Sequence, residues 1–178
     1  MNQGIRTAGL GRRATAFAFD YAWVLGWLVV VVVIGVVVRA AWPDAAAAVF
    51  GDPIRAQATG FISVTLPISL AFAIAEASQR GATWGKRRMR LRVESAAGER
   101  IGLGRSLVRT ALKFLPWELS HAAIWRFAFP ESAPEAVPIA LISIAWGLIG
   151  AYVVTALVGS RRTLYDRLSG TRVVDAGG

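Results

Sequence analysis

The sequence predicts an all-α fold, an integral membrane four-helix bundle carrying a small cytoplasmic hairpin-like element. Three observations predict it. Apolar runs recur at about residues 14–38, 60–77, 107–129 and 137–158. The mean hydropathy of +0.50 and the 55% content of apolar residues sit badly with an ordinary soluble domain. Most basic residues gather beside the runs, as topology signals do. A chain of 178 residues has room for a single membrane domain with small extramembrane pieces, and an independent soluble catalytic domain is not expected.

The composition also excludes chemistry. There is no cysteine, so disulfides, thiolate metal sites and cysteine nucleophiles are out. A single histidine, His121, makes an all-protein zinc site improbable. No nucleophile, base and oxyanion set is visible, so neither an enzyme nor a cofactor is expected. The net charge of +9 would suggest nucleic acid in a soluble protein; here the basic residues lie beside apolar runs and are read as fixing orientation.

Span one is the clearest. From Tyr21 to Val38 it carries no charge, and at 1.5 Å per helical residue it approaches the roughly 30 Å of a bilayer's hydrocarbon core. It is too long for the apolar region of a secretory signal and is followed by valine-rich sequence, so it is expected to stay in the mature protein. Arg6, Arg12 and Arg13 precede it with no acid among them, which puts this end in the cytoplasm. Residues 40–58, with Pro43, Asp44, Asp52 and Pro53, read as an outer loop. Span two has a central Pro67, where a kink is expected, and Glu76 near its end, read as snorkelling to Arg80.

Residues 79–105 form the most basic loop and are placed in the cytoplasm. Within it 91–93 and 100–103 fit a small hairpin, and Lys86, Arg87, Arg88 and Arg90 are candidates to contact anionic lipid headgroups. The glycines at 81 and 85 invite a phosphate-loop reading, but the spacing is wrong and no strand precedes them. Residues 107–129 are interrupted by Arg109, Lys113, Glu118, His121 and Arg126 and divided by Pro116; the first half looks amphipathic and interfacial. Topology nonetheless asks this segment to cross, because the basic tail at 160–178 belongs inside with the basic loop. In the tail, 171–174 reads as a short strand with 91–93 as its partner. No repeat strong enough for an inverted-repeat transporter is visible.

Arg13 and Asp20 are seven residues apart, so they share a helix face about 10 Å apart along the axis, with Ala16 between them. The inferred topology brings Asp166 to the same membrane side. Arg13, Asp20 and Asp166 are thus the candidate charge cluster, either an ion or proton site or a staple between helix ends. Glu118 and His121, at i and i+3, are a candidate polar relay; a dimetal site would need the motif twice, so no metal is assigned.

The chain resembles the RDD family of membrane proteins. The resemblance rests on Arg13, Ala16 and Asp20 entering span one, on Gly81, Thr83, Gly85, Lys86 and Arg87 leading to Leu91-Arg92-Val93, and on Asp166, Leu168, Gly170 and Thr171 near the end. By position, Arg13, Asp20 and Asp166 would be the arginine and two aspartates that name the family. The resemblance implies ligand transport or sodium/proton antiport. The expectation is therefore a multi-pass cell-membrane protein with both termini cytoplasmic, acting in ion- or proton-coupled transport with protons or monovalent cations as substrates. The alternative is a non-transporting scaffold that binds partner proteins or anionic lipid through the basic loop. A homo-oligomer is left open.

Overall fold

The computed structural model describes residues 7–176, which are mostly helical with one two-stranded sheet. Three helices are long and apolar enough to cross a membrane: α1 (Leu10–Ala41), the helix over Pro53–Ala77, and α7 (Ala136–Leu157). The expected fourth span is not among them. α6 (Leu103–Ala128) is one continuous helix, but its charged residues break up the apolar run. Pro116 does not divide it either; proline removes one intrahelical donor, and this helix passes through.

The expected outer loop is largely helical. Trp42 ends α1, and α2 (Pro43–Phe50) and α3 (Pro53–Gly60) each begin with proline, whose fixed φ and missing N–H suit a helix start. Asp52 caps α3 by accepting from the Arg55 amide at 2.8 Å. A π-helical turn at Phe61–Thr65 then leads into α4 (Leu66–Ala77), so span two starts earlier than the apolar run suggested. This π-helical turn lies just before Pro67, the position where a kink is expected. Pro67 cannot donate to the Ser63 carbonyl four residues back, and the Trp27 indole donates to that carbonyl at 2.9 Å.

Two compact units are present. One comprises Met1–Trp23, Ser69–Lys113 and Gly150–Gly178; the other comprises Val24–Ile68 and Phe114–Ile149. In the first, β1 (Leu91–Ser95) pairs antiparallel with β2 (Thr171–Asp175), in a register running from Leu91 opposite Asp175 through Val93 opposite Val173 to Ser95 opposite Thr171. Ala8, Ala16, Leu91, Val93, Ile101 and Val173 form its core. The expected hairpin reduces to an isolated bridge between Glu94 and Arg100. β2 takes the partner position because its Val173 adds to the core opposite Val93.

This unit holds an internal repeat. Residues 78–95 and 158–175 step through the same states: a turn, a threonine-capped helix (α5, Trp84–Arg88; α8, Leu164–Leu168), a second turn and a strand. Left-handed backbone falls at matching places, Gly81 with Arg161 and Arg90 with Gly170. Upstream, Gly9-Leu10-Gly11-Arg12 recurs as Gly102-Leu103-Gly104-Arg105. Thr7 bridges Val174 as Arg100 bridges Glu94, and a buried apolar residue follows each, Ala8 and Ile101. The identities are too few to read as a repeat in sequence. Each half begins and ends at the sheet.

A buried charge network as candidate functional site

The network is assembled from short elements that the sequence caps strongly. Thr83 and Thr163 each stand before a five-residue helix, and each side chain accepts from the amide three residues on, at Lys86 and Asp166. Each threonine hydroxyl also donates to a buried carboxylate. Thr83 gives its proton to Asp20 at 2.6 Å and Thr163 to Asp166 at 2.7 Å.

Asp20 is buried within α1, and the Gly85 amide donates to its second oxygen at 2.7 Å. Glycine is required at 85: a Cβ there would lie 1.9 Å from the Ala16 carbonyl oxygen and 2.9 Å from the Asp20 carboxyl carbon. Small Ala16 and absent side chain at 85 together let α5 rest on α1, and Asp20 locks the contact.

Asp166 sits at the other capped helix, fully buried. Arg13 reaches it at 2.6 Å and Arg109 at 2.9 Å. Arg109, 1% exposed, is the hub: it pairs with Asp166 on one side and Glu76 on the other, and its guanidinium lies 5.1 Å from the Tyr165 ring centroid. Glu76 completes the chain with an ion pair to Lys86. Lys113 lies over the rings of Phe72 and Phe17, at 4.1 and 5.4 Å. Three acids thus face four bases, with hydrogen bonds filling most remaining valences, the condition under which buried charges are tolerated. Among the described residues Thr110 Oγ1 is the buried side-chain oxygen without a hydrogen bond.

Two titrations outside the spanning helices follow. Burial raises the Asp166 carboxyl, but Arg109 and then Arg13 more than offset it, and the group ends well below the usual carboxylate range. Burial lowers Lys86; Glu76 opposes that and Arg109 reinforces it, and the ammonium ends below the usual lysine range.

Of the expected trio, Arg13 and Asp166 are brought together, while Asp20 takes its bonds from Thr83 and Gly85 and not from Arg13. Glu76 does not snorkel to Arg80; it is buried on Lys86 and Arg109. Lys86 is therefore buried and turned to Glu76, whereas Arg87, Arg88 and Arg90 are exposed and Arg88 covers Trp84 at 5.1 Å. Glu118 and His121 lie in the second unit. Glu118 accepts from Thr65, whose hydroxyl also receives the Trp117 indole at 3.1 Å, and His121 meets Trp117 edge-on at 4.5 Å between ring centroids. Sequence reasoning missed Arg109 as the hub. The first half of this segment, with Arg109 and Lys113, reads as amphipathic and interfacial, yet Arg109 is buried together with Ser106 and Thr110 of the same helix. The signal was available in Thr163-x-x-Asp166, a capping-box spacing that places Asp166 at a helix start.

No curated protein matches this chain, and no solved structure does. The model of the RDD family matches residues 7–170, nearly the whole length, with Arg13, Asp20 and Asp166 all inside the match. These apolar helices and this network are those of a membrane protein that belongs to the RDD family.

Proposed function

We propose that this protein crosses the cell membrane four times, with both termini in the cytoplasm, and exchanges protons for monovalent cations at the Glu76 and Lys86 pair. The topology is supported by the arginines of 79–105 and of the tail, which must share a side. α6 then crosses: its 26 residues reach about 39 Å, and Arg109 is withdrawn into the network and away from lipid.

The observation that carries the exchange reading is the kind of cation on each buried carboxylate. Asp166 is gripped by two guanidiniums, which do not release protons in proteins, and Asp20 by a hydroxyl and a backbone amide. Both hold the frame. Glu76 differs, because one of its partners is a lysine whose ammonium burial makes easier to discharge. Arg109, Lys113 and Asp20 are the other charged groups that bear on Glu76 and Lys86. When Lys86 releases its proton, Glu76 keeps Arg109 and has lost one unit of positive charge beside it. A monovalent cation restores that unit, one cation in for one proton out. Asp20 acts as a positioning residue, holding α5 and hence Lys86 in place.

The test is cation-driven proton flux in proteoliposomes, comparing wild type with Glu76→Gln, Lys86→Gln and Lys86→Arg. Lys86→Arg keeps the charge and cannot give up its proton, so it should remain folded and lose exchange. Exchange at the wild-type rate in Lys86→Arg would remove this pair from the mechanism. No flux in wild type under any gradient would favour the membrane scaffold.

A further inference from the structure

Two residues other than glycine occupy left-handed backbone in the described chain, and both are arginines: Arg90 at φ 51° and Arg161 at φ 52°. That conformation strains any residue with a Cβ. At the matched places of the repeat the chain uses glycine, Gly170 at φ 64° and Gly81 at φ 58°. Folding of the turn therefore asks for glycine at 161 and does not explain an arginine there. Strained residues of this kind collect where a side chain is needed by a ligand.

Arg161 lines a cleft of about 520 Å³ together with Gly9, Arg12, Gly159, Ser160 and Asp175. The cleft lies just past Leu157, the last residue of α7, and just before Leu10, the first of α1, where two apolar helices end. Arg12 is fixed at its wall by Asp175 and by the Met89 carbonyl. The Arg161 side chain is exposed and has no hydrogen-bond or ion-pair partner among the described residues. Arg90 is joined to the segment at the wall through its carbonyl, which accepts at 2.8 Å from Ala176, the neighbour of Asp175. With Asp175 balancing Arg12, the lining keeps one positive charge in excess, and its two glycines leave room for close approach.

We propose that this cleft holds the phosphate of an anionic phospholipid headgroup, with the Arg161 guanidinium as its main contact and Arg12 as the second. A guanidinium fork matches phosphate oxygens. The position at the end of α7 supplies the lipid: a headgroup seated there has its acyl chains beside an apolar helix. The site is separate from the exposed Arg87 and Arg88 and does not depend on the exchange reaction.

The test uses the full-length protein in nanodiscs of phosphatidylcholine with and without phosphatidylglycerol, reading retained lipid by native mass spectrometry and unfolding by a thermal melt. Arg161→Gly installs the residue that the other repeat carries. It should melt no lower than wild type in phosphatidylcholine yet retain phosphatidylglycerol roughly fivefold less well, the weight of one basic residue at a membrane surface. Arg161→Asn, which tolerates left-handed backbone, should behave alike and serves if the glycine variant folds poorly. Undiminished retention of phosphatidylglycerol in both variants would overturn the proposal. Inorganic phosphate that stabilises lipid-free protein in detergent as well as phosphatidylglycerol does would overturn the lipid source, assigning the cleft to a soluble phosphate.

Discussion

Gly85 shows how little room a single position can leave. A methyl group placed 1.9 Å from the Ala16 oxygen cannot be absorbed by a side-chain rotation, because the obstacle is backbone. Gly85→Ala should therefore push α5 off α1 and lower stability by about 1–3 kcal/mol, as overpacking typically does, read as a drop in melting temperature in detergent. Gly102, with open space at its Cβ, is the control: Gly102→Ala should be close to neutral. The pair Arg13 and Asp166 makes a second test. Asp166→Ala strips Arg13 and Arg109 of a shared carboxylate and should cost about 3–5 kcal/mol, whereas Arg13→Ala leaves Asp166 its bond to Arg109 and should cost less; the double change should cost less than the sum. Arg13→Ala combined with Asp20→Ala should be nearer additive, since their bonds go to different partners. pH gives the same answer by another route. Asp166 has its carboxyl below the unfolded value of about 3.9, so its stabilisation is complete above that value and is lost as pH falls below it. Melting temperature should be flat from about pH 7 to 5 and fall below about 4, and Asp166→Asn should make that fall shallower.

Elements carry the repeat, and their caps should behave as a matched pair. Thr83 and Thr163 each satisfy a helix amide and feed a carboxylate, so Thr83→Val and Thr163→Val should each cost toward the upper end of the roughly 0.5–2 kcal/mol of a lost cap, while serine at either place should be nearly neutral. Hydrogen exchange at the Lys86 and Asp166 amides would report each cap directly. These elements also show what was legible. The apolar periods of α1 and α7 were plain, because a lipid-facing helix needs no pattern beyond length and hydrophobicity. The strand at 171–174 and its partner at 91–93 were legible from short apolar alternation. α2 was missed, since Ala45 to Ala48 between prolines looks like linker. The first half of α6 reads as interfacial because its Arg109 looks like a solvated charge. A buried ion pair and an exposed one have the same residue spelling, and only the partner, here Glu76 and Asp166 on other elements, tells which it is.

At the scale of the whole chain, the absence of cysteine makes topology directly measurable. Single cysteines at Ala48, Ala97, Ser132 and Ala176, all exposed, should label from outside the cell at 48 and 132 and only after permeabilisation at 97 and 176. Labelling at 97 but not 132 from the cytoplasmic side would support α6 as a crossing helix; cytoplasmic labelling at 132 would place α6 on the surface. The candidate trio was legible as residues but not as a constellation. Helical spacing puts Arg13 and Asp20 on one face, but a partner 153 positions away, Asp166, wins Arg13.

The sheet has a consequence in time. Thr7 bridges Val174, Leu91 pairs with Asp175, and Arg13 and Arg109 both wait for Asp166. Each of those partners lies between residues 166 and 175, and so is made after the segments that need it. Helices can enter the membrane one after another, but until the tail arrives two guanidiniums have no carboxylate at 166 and β1 remains an open edge. A chain stopped near residue 160 would be inserted yet unfinished, with unpaired charge and unpaired strand on show to proteases. β2 thus works as a closing element: the partners gathered in the first unit are satisfied only once residues 166–175 are present.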